Sequence, residues 1–342
     1  AAPAAAHSVG AASDTPPLPA WQLAWAAAFS VAMSFVALGT FWEQPRLAAL
    51  ATGRGLWTAV GTPARIVETT LRLIGLFLFG VVWSAAWWGN RSFAANIAGD
   101  AFLIWFWVGL QFVSVAIGDV GRAFNPYTTL ADAAAWVRAR VTGEPLSSPD
   151  HGDAAVWPAV AAILAFLWYE LAYHSAVSPR SVGVFLTVYS VALLTGGAVF
   201  GRGWVRSADG FGVLFSLLGA MAPVHLDDDR RLRFRAPLAG LATVPAVPGT
   251  VPFILVVLGA TTFDGFARSD LWAEIESERI EQAGGSIGWD VTMVRSLGLV
   301  AAIVVVGLAY TLAINLMAAI TGETAEELSP AFAPTLVPIV AA

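Results

Sequence analysis

The sequence predicts an all-α, polytopic transmembrane helix bundle with about seven crossings. Composition is the first reason: 57% of residues are hydrophobic and only 12% are charged, against about 25% charged in soluble domains. A soluble fold of 342 residues needs more polar surface than this chain supplies, whereas a hydrocarbon solvent lets apolar side chains face outward. The second reason is a series of apolar runs of the length that crosses a bilayer, roughly 17–25 residues. The third is the placement of arginine between those runs.

Ala1–Ala20 is rich in Ala and Pro and holds no basic residue, so it lacks the positive start of a secretory signal. It reads as a disordered tail ahead of a single transmembrane domain, 21–342. The first run extends from about Trp21 to Trp42, with Trp21, Trp25 and Trp42 as interface anchors. The second covers Ile66–Trp88, the third Ala101–Val120, the fourth Ala154–Tyr173 and the fifth Ser181–Phe200. Gly210–Val224 is apolar but short, the length of an interfacial or re-entrant helix. The Asp- and Arg-rich segment from Asp227 to Arg235 reads as a solvated hairpin.

Ala236–Phe263, broken by Pro237, Pro245, Pro248 and Pro252, counts as one kinked crossing. Broken helices survive in a membrane only where protein or a water-filled cavity satisfies the freed backbone. The last run is Val294–Ile320. The stretch from Ser329 to Ala342, with Pro330, Pro334 and Pro338, starts like an eighth helix. It is expected to be a truncated one, the alternative being an end that folds back. No internal repeat stands out.

With the N-terminus outside, the loops after the first, third and fifth crossings face the cytoplasm. They carry twelve arginines, including Arg122, Arg138, Arg140, Arg202, Arg206 and the cluster from Arg230 to Arg235. The outer loops carry four, Arg91, Arg180, Arg268 and Arg279. This is the positive-inside bias of a multi-pass protein in a prokaryotic cytoplasmic membrane. All 18 basic residues are Arg, which with the excess of Ala, Val and Gly reads as the codon bias of a GC-rich genome.

Several function classes drop out. Cysteine is absent, which excludes disulfides, thiolate metal sites and a Cys nucleophile. The formal charge of −6 argues against nucleic acid as a partner. What remains are ionisable residues near the bilayer, which cost about 2.5–3.5 kcal/mol each at a helix centre and are functional suspects for that reason.

On the outer side, Glu170 and His174 lie four residues apart, a spacing that puts both on one helix face. Asp100, Asp264 and Asp290 open or close runs on that side. Glu170, His174, Asp264 and Asp100 are the candidate catalytic set for acid–base or metal-assisted chemistry, with Glu170, His174 and Asp264 the ligands if a divalent metal binds. The competing reading is a Glu–His pair at a helix end with solvated acids. On the inner side, Asp119, Arg122, Asn125 and Arg202 form a candidate gate, or an anchor with a helix stop at Asn125-Pro126. The acidic segment from Asp264 to Asp290 reads as a solvated amphipathic helix, and Gly197 with Gly201 as a helix-packing motif.

Further motifs carry a family resemblance. They are the run Val113–Leu130 with Asn125-Pro126-Tyr127, then Leu167-Trp168-Tyr169-Glu170-Leu171, Ser178-Pro179-Arg180, Phe200-Gly201-Arg202, Phe211-Gly212-Val213-Leu214-Phe215, Ala222-Pro223, Thr262-Phe263-Asp264-Gly265-Phe266 and Phe332-Ala333-Pro334. Together they resemble polytopic membrane proteins of actinobacteria and haloarchaea labelled fenitrothion hydrolase. The resemblance implies a membrane-bound hydrolase of phosphotriesters that works with a second membrane subunit, and it carries over no catalytic residue. Phosphotriester hydrolysis usually relies on metal-activated water, and the chain has four His, of which only His174 lies near a membrane site. Two other readings use the same residues: a transporter or channel with an acidic outer vestibule, and a structural subunit of a larger membrane complex.

Overall fold

The computed structural model describes residues 50–58, 62–143, 155–226, 231–282, 284 and 288–341, and five helical positions between residues 22 and 33. The chain divides into two units, Ala1–Ala49 and Leu50–Ala342. The expected tail, 1–20, and most of the expected first crossing lie outside the described residues. Everything below concerns the second unit.

That unit is all-α, with one small sheet. Strand β1 (Arg54–Thr58) leads into helix α1 (Thr62–Trp88). Helix α2 (Ile97–Ile117) returns, then come α3 (Val120–Phe124) and α4 (Pro126–Thr142). The plan then recurs: α5 (Trp157–Leu171), α6 (Pro179–Phe200), α7 (Arg202–Ala208) and α8 (Gly210–Gly219). Strands β2 (Val224–Leu226) and β3 (Arg231–Phe234) form an antiparallel hairpin, and β1 pairs antiparallel with β3, giving the order β1-β3-β2. Helices α9 (Thr250–Phe266), α10 (Asp270–Gln282), α11 (Trp289–Thr321), α12 (Ala325–Phe332) and α13 (Val337–Val340) complete the unit.

Among the described residues four helices are long and apolar enough to cross a membrane: Ile66–Trp88, Ile97–Ile117, Pro179–Phe200 and Trp289–Thr321. The pair α9–α10, bent by 80°, makes a fifth where it counts as one span, so four or five candidate crossings stand against the seven expected, the first of which lies outside the described residues. Helix α5 has 15 residues, about 22 Å of rise, and α8 has 10, about 15 Å; both are apolar but short of the roughly 30 Å hydrocarbon layer. The chain is therefore a multi-pass membrane protein. The expected crossing at Ala236–Phe263 differs in detail. Residues 235–249 form a 3₁₀ turn and extended chain, and the helix begins at Thr250, after the last interhelical proline but one. Proline removes a backbone donor and clashes with the preceding turn, so a continuous helix cannot hold four of them.

Two segments turn back along the bundle after a long apolar helix. Each starts at a glycine with positive φ, Gly118 at 99° and Gly201 at 85°, a conformation that side chains rarely adopt. After Gly201, α7 runs back along α6: a Cβ on Gly196 would strike the Trp204 ring and one on Gly197 would meet Val205. The segment reaches Asp209, whose carboxylate touches Tyr189, the eleventh of the 22 residues of α6. Asp209 thus sits halfway through the span, and α8 descends from it. Likewise α3 climbs to Asn125, and α4 descends from there with Tyr127 edge-on to Phe79 at 5.6 Å. Phe79 is the fourteenth of the 23 apolar residues Ile66–Trp88, again mid-depth.

The two halves repeat, which the sequence reading did not detect. Arg122, Asn125 and Tyr127 precede Arg206, Asp209 and Phe211 by a constant 84 residues. The packing repeats as well: α3 lies on α1 as α7 lies on α5, α4 on α6 as α8 on α2, and α4 on α1 as α8 on α5. A Cβ on Gly121 would strike Phe215; the positions 84 residues away from these two, Val205 and Ala131, both lie beside Gly197. In both halves two helices are followed by a short one that runs back and a further one that leaves its tip, so the elements come in the same order. The re-entrant tips meet between the halves.

The sheet and Arg235 close the arginine-rich face. The buried Arg235 guanidinium donates to the carbonyls of Gly219, Ala220 and Ala222, which are the orphan acceptors at the end of α8. Burial lowers its pKa. At the opposite face α10 turns aside and Trp272 packs on Phe263 at 5.1 Å. Arg295, inside the apolar run of α11, pairs with Glu276 at 2.5 Å. At the C-terminal end α12 and α13 fold back onto α9 and bury Ala333 and Val337, so the segment expected to be a truncated crossing lies against the bundle.

The tightest seam is between α1 and α3. A Cβ on Gly75 would lie 2.0 Å from the Phe124 carbonyl oxygen, whereas Gly80 on the same helix has nothing within 4 Å. Gly75→Ala should therefore lower stability by about 1–3 kcal/mol through overpacking against backbone. Gly80→Ala should be neutral or stabilising by about 0.5–1 kcal/mol, the usual glycine penalty in a helix. Thermal unfolding in detergent checks this, and equal melting temperatures for the two variants would refute the close approach.

Candidate functional site

The two re-entrant tips are joined by side chains. Asn125 caps α4, its Oδ1 accepting from the amides of Tyr127 (2.9 Å) and Thr128 (3.0 Å). Asp209 caps α8 in the same way, its Oδ1 accepting from the Phe211 amide at 3.2 Å, with the Gly212 amide also donating to the carboxylate. Between the caps, Asn125 Nδ2 donates to Asp209 Oδ2 at 2.5 Å. Tyr189 OH donates to Asp209 Oδ1 at 2.6 Å. Tyr127 stands by, with its ring 5.6 Å from that of Tyr189 and its hydroxyl 3.3 Å from Ser190 Oγ.

Physically this is an anion at two helix N-termini. Each N-terminus carries roughly half a positive charge from its unpaired amides, and both point at one spot at mid-depth. Asp209, only 2% exposed, fills that spot with four donors around its two oxygens. A buried carboxylate is tolerated only when paired and hydrogen-bonded, and here the two hairpins supply the donors.

Beside the tips lies a cavity of about 310 Å³, bounded by α1, α2, α3, α6 and α8, with Asn125, Tyr127 and Asp209 at its polar end. Its long wall is the stretch Ala101–Gly109 of α2, which is a π-helix. With i→i+5 bonding, residues five apart come into line: Ala101 with Phe106 and Trp105 with Leu110, all four lining the cavity. Phe102, Phe211 and Phe215 line it too, and behind these rings Trp107 and Phe166 pack edge to face at 4.6 Å between centroids, with Phe166 in turn 4.7 Å from Phe211. Short π segments inside helices frequently mark functional sites.

Of the inner set expected from sequence, Asn125 belongs to this centre. Asp119 instead caps α3, accepting from the Arg122 amide at 3.1 Å and from Ser216 Oγ at 2.5 Å. Burial raises its pKa, against the lowering effects of the Ser216 hydroxyl and of Arg122. The Arg122 side chain is exposed, and Arg202 opens α7 with its side chain outside the described part. Asp209 and Tyr189 were missed. The missed signal was the match of Asn125-Pro126-Tyr127 to Asp209-Gly210-Phe211 at a spacing of 84 residues.

The outer residues are more dispersed. Helix α5 ends at Leu171, so His174 does not continue the Glu170 face. His174 lies in the following turn, where its backbone amide donates to Thr292 Oγ1 at 3.1 Å and its Nδ1 is 2.9 Å from the same atom, with the ring against Tyr173 and Trp289. Glu170 is half-buried beside Trp107 and within electrostatic reach of Asp264. Asp264 pairs with Arg268 at 2.8 Å. Asp100 sits at the start of the π-helix, and Asp290 is exposed at the start of α11. Among the described residues no three His, Asp or Glu side chains are grouped so as to hold a metal ion.

No family model matches the chain, and neither do curated proteins or solved structures.

The latch predicts a graded response. Tyr189→Phe removes one donor to Asp209 and should cost about 1 kcal/mol. Asp209→Ala leaves the Tyr189 hydroxyl and the Asn125 amide unpaired at mid-depth and should cost about 3 kcal/mol or more. Melting of both purified variants is the measurement, and an Asp209→Ala protein as stable as the wild type would contradict the pairing of the tips.

Proposed function

We propose that the protein is a membrane transporter whose substrate site lies at mid-depth between its two halves. The observation that carries this reading is the Asn125–Asp209 bond, where the N-caps of two re-entrant helices meet at the wall of a cavity. Transporters built from parallel repeats bind at the repeat interface near the midplane, and use discontinuous helices whose N-termini face the bound group. Irregular backbone at that depth is tolerated where it lines a cavity or is buried in protein. The arginine-rich face, with Arg122, Arg206, Arg233 and Arg235, is the cytoplasmic one under the positive-inside rule.

In this mechanism Asp209 is the coupling group. While it accepts from Asn125, Tyr189 and two amides, the tips are joined and the cavity is closed on the cytoplasmic side. A proton on one of its oxygens turns an acceptor into a donor. On Oδ2, opposite the Asn125 amide, this leaves two donors facing, and the tips separate; on Oδ1 the Tyr189 hydroxyl can turn to accept. Substrate movement and proton movement are thereby linked.

A second reading, hydrolysis of phosphotriesters at the outer face with a partner membrane subunit, is supported by Glu170, which lies beside Trp107 and near Asp264. The two readings place the essential carboxylate on opposite sides of the aromatic core. In proteoliposomes carrying a trapped pH dye, transport predicts solute-dependent proton movement across a panel of hydrophobic solutes. That movement should be lost in Asp209→Asn, reduced in Tyr189→Phe and kept in Glu170→Gln. The hydrolase reading predicts turnover of a chromogenic phosphotriester that disappears in Glu170→Gln and survives Asp209→Asn. Proton movement unaffected by Asp209→Asn would end the transport reading.

A further inference from the structure

The cavity beside the latch has features that define what it takes, and this step rests on its being the functional site. Its mouth is formed by residues that also face the surroundings of the bundle: Leu78 is 52% exposed, Ile97 45% and Trp105 62%. All three belong to α1 and α2, which are long and apolar enough to cross a membrane, so the mouth opens on a flank of the bundle that apolar side chains line. The walls behind it, among them Phe79, Val82 and Phe106, are apolar. A volume of about 310 Å³ is at the small end of ligand pockets, enough for one slender molecule and too little for a two-chain lipid with its headgroup.

The polar end decides the head of that molecule. Asp209 already accepts from four donors, the capacity of two carboxylate oxygens. The Asn125 amide is oriented by its neighbours: its oxygen accepts from two backbone amides, so its nitrogen faces Asp209. That nitrogen carries two hydrogens, and one is used. The second has no acceptor among the described residues, although Asn125 is only 9% exposed and lines the cavity. A buried donor without a partner costs about 1–3 kcal/mol, so the site favours an occupant that brings an acceptor.

We infer that the cavity binds, from within the bilayer, a single-chain apolar molecule ending in one acceptor oxygen, a hydroxyl or carbonyl, which meets the free amide hydrogen of Asn125. The chain lies along the π-helical wall and the oxygen replaces no existing bond of the latch. Binding of this kind needs no charged head. It also puts the ligand in contact with the group whose protonation separates the tips.

The test uses the full-length protein in lipid nanodiscs with a diazirine-bearing hexadecanol, and the matching diazirine alkane without oxygen as comparison. Photolabelling should map by mass spectrometry to the peptides containing Leu78 and Trp105 and should be displaced by unlabelled hexadecanol. The alcohol should label about two- to tenfold more strongly than the alkane, the net worth of one hydrogen bond. Ala101→Phe fills the wall and should abolish that labelling, with an unchanged elution profile showing that the variant folds. Equal labelling by alkane and alcohol overturns the assignment of the head. Labelling unmoved by Ala101→Phe overturns the site. A photoreactive residue placed at position 105 that captures residues 21–42 of the same chain would identify that segment as the occupant and overturn the lipid-derived ligand. If alcohol binding holds while proton movement is absent, the transport reading fails and this one stands.

Discussion

The hydrogen bond between Asn125 and Asp209 is the contact on which the architecture depends. In hydrocarbon every backbone donor needs a protein partner, and a helix that begins at mid-depth exposes its first amides there. This chain has two such helices, and each solves the problem with its own cap. The caps then solve the remaining problem for each other. The asparagine has a spare donor, the aspartate has spare lone pairs, and joining them leaves neither tip open. The Tyr189 hydroxyl adds a third element to the same carboxylate, so that α6 is fixed to both hairpins at its midpoint.

Around this contact the two halves are alike in plan and unlike in filling. Gly121 gives way to the Phe215 ring, while the residues at the corresponding positions are Val205 and Ala131, so the larger residue has changed places. The second half packs solidly, with Ile163, Phe166 and Val205 fully enclosed. The cavity lies where α2 widens into a π-helix while α6 stays regular, and α6 and α8 of the second half complete its wall. The cavity is thus the place where the repeat is broken. In a protein interior packed like a crystal, an opening of this size beside a buried carboxylate calls for a functional account.

Much of this was legible before the structure, and the reasons differ by element. Ile66–Trp88, Pro179–Phe200 and the long last helix were readable because a run of apolar residues has one economical fate in a bilayer. The hairpin after Asp227 and the amphipathic helix within Asp264–Asp290 followed from their charge. That 210–224 holds only a short apolar helix followed from its length. What length could not reveal was that Val120–Phe124 and Arg202–Ala208 turn inward, since short polar-flanked segments after a span read as ordinary loops. The duplication hid for a related reason: only the turn glycines, the arginines and the caps repeat, and the packing residues between them are exchanged for different sizes. In the outer set Glu170 and Asp264 lie within electrostatic reach of each other, while His174 falls in the turn after a helix that ends early. With α5 stopping at Leu171, the four-residue spacing of Glu170 and His174 lost its meaning.

The inequality of the two caps is itself informative. Two asparagines would cap both helices equally well, and their contact would join a donor to a carbonyl with no charge involved. Two aspartates would place like charges at bonding distance, where one must take up a proton. One of each gives a charge-assisted bond and a single titratable group on the line between the halves. A centre that needed only to hold the tips together would have no use for the acid, since the neutral pair does that without burying a charge. The acid makes the closed contact dependent on one proton, and it puts the one titratable group of the pair on the second half, at a cavity whose walls come from both. Two parts alike in plan have in this way become unequal where they meet, one tip carrying a neutral cap and the other the group that responds.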